Sequence, residues 1–246
     1  MRIIVLLICI HILPVATAQP QSHEVETNNI YMSEAPPWVT RARVEKSVEH
    51  IQTLMEWDIR KVTVTFYKDA AKFESVHHLG PAFLAVSFKQ ANTIHLGPRV
   101  STENFDQVFG HELVHIISGQ KYRDAIPRWL EEGLANYLAK NGKVDYRWLA
   151  SKPFPTDVRS FDHPASGSTD QVHYHYVVSQ ALTEMIAKKC DLENLLRLSV
   201  GMKMENYLDT YCEIPDLNVA FKKWVLSKSH SESDPKSGSK NRPESR

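Results

Sequence analysis

The chain has 246 residues, enough for one domain of ordinary size or a domain with tails. Lys plus Arg and Asp plus Glu stand equal at 29 each, so no bulk charge points to nucleic acid or an anionic membrane.

Residues 1–18 read as a secretory signal peptide. Arg2 supplies the positive start, Ile3 to Leu13 the apolar run, and Ala16-Thr17-Ala18 a small-residue cleavage site. The apolar run is too short to span a bilayer. The expected location is secreted or periplasmic, without stable membrane insertion. Cys9 would leave with the leader, so Cys190 and Cys212 remain as an even pair in an oxidising compartment, where a disulfide is expected.

Residues 19–34 are polar and read as a linker, with a domain over 35–227. Pro36 and Pro37 open a helix whose stripe is Val44, Val48, Ile51 and Met55, ending near Trp57. "KVTVTFY" (61–67) alternates like a half-buried strand. "FLAVSF" (83–88) and "NTIHL" (92–96) form a hairpin through the turn at Lys89. Asn104 with Gln107 three later suggests a reciprocal helix cap, and Gly119 the end of that helix. A second helix has Pro127 in its first turn and closes at Asn141-Gly142. A loop rich in Pro, Ser, Gly and Asp fills 151–170, and helices follow over roughly 172–188, 191–200 and 216–227. Residues 228–246, nearly free of apolar side chains, are expected to be disordered.

The chemistry sits in "HELVH" (111–115). His111 and His115 lie one helical turn apart, so both imidazoles can face one ion. Glu112 falls on an adjoining edge, where it reaches a metal-bound water without ligating. The pattern is short, but it lies in a helix flanked by Phe109, Val114, Ile116 and Ile117, which makes that helix a core element. Zinc on two histidines needs a third protein ligand and leaves a fourth position for water in a catalytic site.

"PRWLEEGLANYL" (127–138) offers that ligand twice, in Glu131 and Glu132. Periodicity does not choose between them, because both flank the apolar stripe. Glu132 shares its side with Ala135, Asn136 and Ala139, small residues that permit another helix to approach. Glu131 is edged by Leu134 and Leu138 and is expected to open toward solvent. Asn136, one turn beyond Glu132, is placed to accept the second N–H of a ligating histidine. His77, His78 and His95 read as packed or solvated histidines. His173 and His175, alternating with tyrosines before a helix, are further candidates to face the site.

H-E-x-x-H followed by W-L-x-E-G-x-A-x-Y resembles the gluzincin metallopeptidases, the thermolysin and aminopeptidase N superfamily. The resemblance is greatest to their small, secreted, mostly bacterial peptidase MA-like members, and it covers roughly residues 60–225. It implies an α+β, zincin-like fold: a small twisted sheet with an edge strand near Asn92–Leu96 beside the active-site helix, and a mostly helical C-terminal part. It implies one Zn2+ held by His111, His115 and Glu132, with Glu112 as general base. The family's Tyr-x-x-Ser element matches Tyr176 to Ser179, so Tyr176 is the expected oxyanion donor, with Tyr174, His173 and His175 as alternatives. The Gly-Ala-Met-Glu-Asn element of the aminopeptidase branch is absent, so exopeptidase action is not implied. The partner would be a peptide or protein substrate, bound by strand addition. The competing class is a secreted zinc-binding or interaction module on the same fold that has no turnover.

Overall fold

The computed structural model describes residues 22–123, 125–140, 142–160, 168–198 and 204–231. The expected signal peptide (1–18) and most of the expected tail lie outside the described residues. The chain is mixed α+β, with five strands and nine α-helices among the described residues.

The sheet runs in the order β1-β2-β3-β5-β4. It is built from β1 (His23–Glu26), β2 (Ile30–Ala35), β3 (Val62–Phe66), β4 (Ala85–Phe88) and β5 (Thr93–Leu96). β2, β3 and β5 pair in parallel, while β1 and β4 add antiparallel at the two edges. Ile30, Met32, Val62, Val64, Ile94 and Leu96 are fully buried and alternate with more exposed neighbours, so one face of the sheet is the core face.

Two expectations change here. Residues 19–34 are not merely a linker, because β1 and β2 lie within 23–35 and bury Val25, Ile30, Met32 and Ala35. Their few apolar side chains suffice because β3 supplies the pairing edge from some thirty positions further on. The edge strand beside the helices is β4, not Asn92–Leu96, since β5 is paired on both sides. The hairpin itself forms as read, with Val86 opposite His95.

Helix α1 (Arg41–Met55) starts after Thr40, whose side chain accepts from the Arg43 amide, and buries the expected stripe of Val44, Val48, Ile51 and Met55. Helix α2 (Ala70–His77), capped by Asp69, was not expected. Helix α3 (Phe105–Ile117) carries the histidine motif. Asn104 does not cap it in the expected way: its Oδ1 accepts from the Ser101 amide at 2.8 Å and its Nδ2 donates to the Arg99 carbonyl at 3.1 Å. Nor does α3 stop at a glycine cap. It passes into a π-helical turn, Ser118–Tyr122, that contains Gly119.

Helix α4 (Arg128–Leu138) follows Pro127 directly. Then come α5 (Tyr146–Ala150), α6 (Thr169–Lys189), α7 (Leu192–Leu198), α8 (Met204–Cys212) and α9 (Leu217–Ser231). The last extends past 227, so residues 228–231 of the expected tail are helical. A disulfide joins Cys190 at the end of α6 to Cys212 at the end of α8, with Cα atoms 5.1 Å apart. No helix among the described residues is long and apolar enough to cross a membrane.

Candidate metal centre

Helix α3 packs against α1, α4 and β4, with Phe105, Phe109, Leu113, Val114, Ile116 and Ile117 fully buried. His111 and His115 meet Asn136, Glu131 and Glu132 of α4, and Glu112 lies in the cavities along β4. Helix α4 is in turn brought close to α6 by Gly133, where a Cβ would collide with the Ser179 carbonyl and the Thr183 hydroxyl. The glycine after Glu132 is therefore a packing requirement: it lets α6 cross tightly enough to carry Tyr176 to the site.

His111, His115 and Glu132 come together as one buried cluster, with ligand atoms all within 4.8 Å of one another. The imidazole Nε2 atoms are 3.1 Å apart, and Glu132 lies 3.5 Å from His111 Nε2 and 3.4 Å from His115 Nε2. Three corners of a tetrahedron around an ion with bonds of about 2.0–2.2 Å are separated by about 3.3–3.6 Å. The cluster can hold a metal ion in that form.

The surrounding residues fix which nitrogen faces the centre. His111 Nδ1 is 3.0 Å from Asn136 Oδ1, the outer contact read from the sequence. His115 Nδ1 is 2.9 Å from Glu131 Oε1. Glu131 is thus not solvated as expected: it is only 6% exposed, and Lys89 Nζ donates to both of its oxygens at 3.0 and 2.9 Å. Neighbours on a helix diverge by about 100°, and here each glutamate meets a different histidine atom. Glu132 faces the Nε2 atoms and Glu131 supports one imidazole from behind. No linear signal marked Lys89, which reads simply as a turn residue after a strand.

Burial disfavours a charged imidazole at His115, but Glu132 and Glu131 outweigh it and raise its pKa well above the ordinary value, so an ion binding at Nε2 would displace that proton. Burial also raises the Glu131 carboxyl, yet the contacts to His115 and Lys89 bring it below its usual range. Lys89 compensates Glu131, and the buried carboxylates of Glu132 and Glu112 beside the two imidazoles suit a divalent cation.

Two cavities flank the cluster along β4. One of about 360 Å³ is lined by Phe83, Phe88, Lys89, Glu112, Arg128 and Tyr176 among others. The second, about 200 Å³, shares Phe83, His111, Glu112 and Tyr176 and is closed by Val108 and Val172. Glu112 is 7% exposed and lines both. The Tyr176 ring lies 6.2 Å from that of His111. Burial, then Glu132 and Glu112, push the Tyr176 hydroxyl far up, so it stays protonated and remains a donor.

The alternatives to Tyr176 face elsewhere. Tyr174 donates to the Pro153 carbonyl, and His173 packs on Trp148 at 4.9 Å. His175 lines neither cavity. His95 Nδ1 is 2.8 Å from the Tyr67 hydroxyl, His77 Nδ1 accepts from the Leu79 amide and His78 caps α2; none of the three belongs to the cluster, and His77 lines the larger cavity.

In comparisons with known protein families and with curated protein sequences, the chain matches neither a family nor an individual protein.

Proposed function

We propose that the protein is an exported zinc metallopeptidase of the gluzincin type on a zincin-like fold, acting on peptide or protein substrates. The observation that supports this most is the placement of Glu112: buried beside His111, lining both cavities, and outside the three-residue cluster. A protein that only bound metal would have no use for a carboxylate there. The donor set of two imidazoles and one carboxylate is the set zinc takes in hydrolytic sites. Export is supported by the leader-like N-terminus and by the Cys190–Cys212 bond.

His111, His115 and Glu132 would hold Zn2+, which would supply a water with its pKa lowered toward ~7 and polarisation of the scissile carbonyl. Glu112 takes the proton from the attacking water and delivers it to the leaving amine. Tyr176 donates its hydroxyl hydrogen to the carbonyl oxygen as negative charge develops. Asn136 and Glu131 hold the two imidazoles in the tautomer that leaves Nε2 free to ligate.

The substrate backbone would lie along β4. The Gly97 amide donates to the Leu84 carbonyl at 2.8 Å, which phases the antiparallel ladder with β5. By the alternation of such ladders, the backbone groups of Ala85 and Ser87 then point outward to the cavity side. An extended peptide would add there as a sixth strand, its side chains falling alternately into the flanking cavities.

The test is zinc content and casein cleavage of the purified chain, before and after chelation and on Zn2+ restoration. The expected result is one zinc per chain and cleavage that follows the metal. A chain without stoichiometric metal refutes the centre. Stoichiometric zinc with no cleavage, unaltered by Glu112→Gln, would establish instead the non-catalytic zinc-binding module.

A further inference from the structure

We infer that Lys89 is a positioning residue for the metal centre, tying the end of the substrate-binding strand to the ligand His115 through Glu131. The inference rests on the metal-centre reading above and concerns a residue outside the ligand set.

The tie is built from three separate parts of the chain. Lys89 directly follows Phe88, the last residue of edge strand β4. Its ammonium sits across both oxygens of Glu131 at 3.0 and 2.9 Å, and one of those oxygens, Oε1, also takes His115 Nδ1 at 2.9 Å. The Glu131 side chain is 8% exposed and that of Lys89 33%, so this is a partly buried pair rather than a surface one. A carboxylate with only the imidazole contact would be free to swing about its own torsions. Fixed by two contacts from Lys89, it presents Oε1 to Nδ1 in one orientation, and Nε2 is left facing His111 and Glu132.

The route of the lysine stem is itself provided for. It crosses the π-helical turn at Gly119, where a Cβ would come 2.7 Å from Lys89 Cβ, 3.3 Å from Cγ and 3.2 Å from Cδ. Gly119 does not adopt a positive φ, so nothing in the backbone calls for glycine there. The space it leaves is the space the lysine occupies. Because the near end of the stem is the closest atom, a side chain at 119 would displace Lys89 from its root. Substrate laid along β4 would thus press on a strand whose next residue holds a metal ligand in place, so peptide binding and ligand orientation share one connection.

The test uses the full chain and Zn2+ itself, competed with a chromophoric chelator, for Lys89→Met, Gly119→Ala, Glu131→Gln and Lys89→Met/Glu131→Gln. Lys89→Met and Gly119→Ala should each weaken Zn2+ binding roughly 10–100-fold, the usual effect of losing an outer contact to a ligating histidine. Both should shift the visible spectrum of the Co2+-loaded protein, which a purely structural role would not, and kcat on a casein-derived peptide should fall more than KM rises. In the Glu131→Gln background the loss of Lys89 should add less than about 2-fold, because both act through one carboxylate. If Lys89→Met alone does not fold, Gly119→Ala carries the test, and Zn2+ affinity of Gly119→Ala equal to the parent then overturns the tie. Zn2+ affinity of Lys89→Met equal to the parent, or full additivity with Glu131→Gln, overturns the tie while leaving the centre standing. A parent chain that binds no Zn2+ overturns the centre itself.

Discussion

Gly133 and Ser179 face each other so closely that a Cβ on the glycine would overlap the serine carbonyl oxygen. The clash is with backbone, and the neighbouring Thr183 hydroxyl is fully buried, so neither helix can yield locally. Gly133→Ala should therefore destabilise the protein by about 3 kcal/mol or more, the upper end for overpacking a core. Urea unfolding would measure it. Surviving protein should bind metal normally but work poorly, because α6 carries Tyr176.

The three glutamates around the centre predict three outcomes for metal and rate. Glu132→Gln exchanges an anionic ligand for a neutral amide and should lose stoichiometric zinc and activity together. Glu112→Gln should keep zinc and lose turnover by roughly 10²–10⁴-fold, the usual worth of a general base. Glu131→Gln should keep a contact to His115 Nδ1 through its amide oxygen while losing the charge that Lys89 pairs, so zinc affinity falls without vanishing. Metal analysis beside casein cleavage separates the three, and full zinc in Glu132→Gln would remove that residue from the ligand set.

Asp106 ties α3 to α1. It accepts from Arg43 Nε and Nη2 at 2.8 and 2.9 Å and from Ser47 at 3.3 Å. The Arg43 hydrogen bonds hold its carboxyl below the ordinary range, against burial, which acts the other way. A carboxylate whose folded pKa is depressed contributes stability above its unfolded value, near 3.9, and that contribution disappears as pH falls through the lower folded value. The Asp106 side chain is 57% exposed, so solvent screening keeps the worth of the pair to about 1 kcal/mol. Asp106→Asn should cost that much in urea unfolding at neutral pH and almost nothing near pH 2. An equal cost at both values would mean the charge is not what matters.

Cys190 and Cys212 close a loop over α7 and α8, with a sequence separation of 22. Replacing both by serine should lower stability by roughly 3 kcal/mol through the freedom it returns to the unfolded chain. Mass spectrometry of the non-reduced protein should find Cys190 and Cys212 closed to alkylation, and alkylation of both would refute the bond.

The relations carried by a single element's period were legible in the chain. The α1 stripe, the one-turn spacing of His111 and His115, the β4–β5 hairpin and the choice of Asn136 as outer partner to a histidine follow from 3.6- and 2-residue repeats. Which strand lies at the edge emerged with folding, because β5 is claimed by β3, a parallel partner with no local turn to announce it. The same holds for β1 and β2, too short and polar to stand out until β3 pairs with them. The fate of Glu131 is the clearest case. Its flank of the helix reads as solvent-facing from neighbouring residues alone. The carboxylate is buried because Lys89, 42 positions away, arrives to pair it and His115 presents an N–H to it. A buried charge is set by the partners that compensate it, and partners brought by folding leave no periodic trace in the chain.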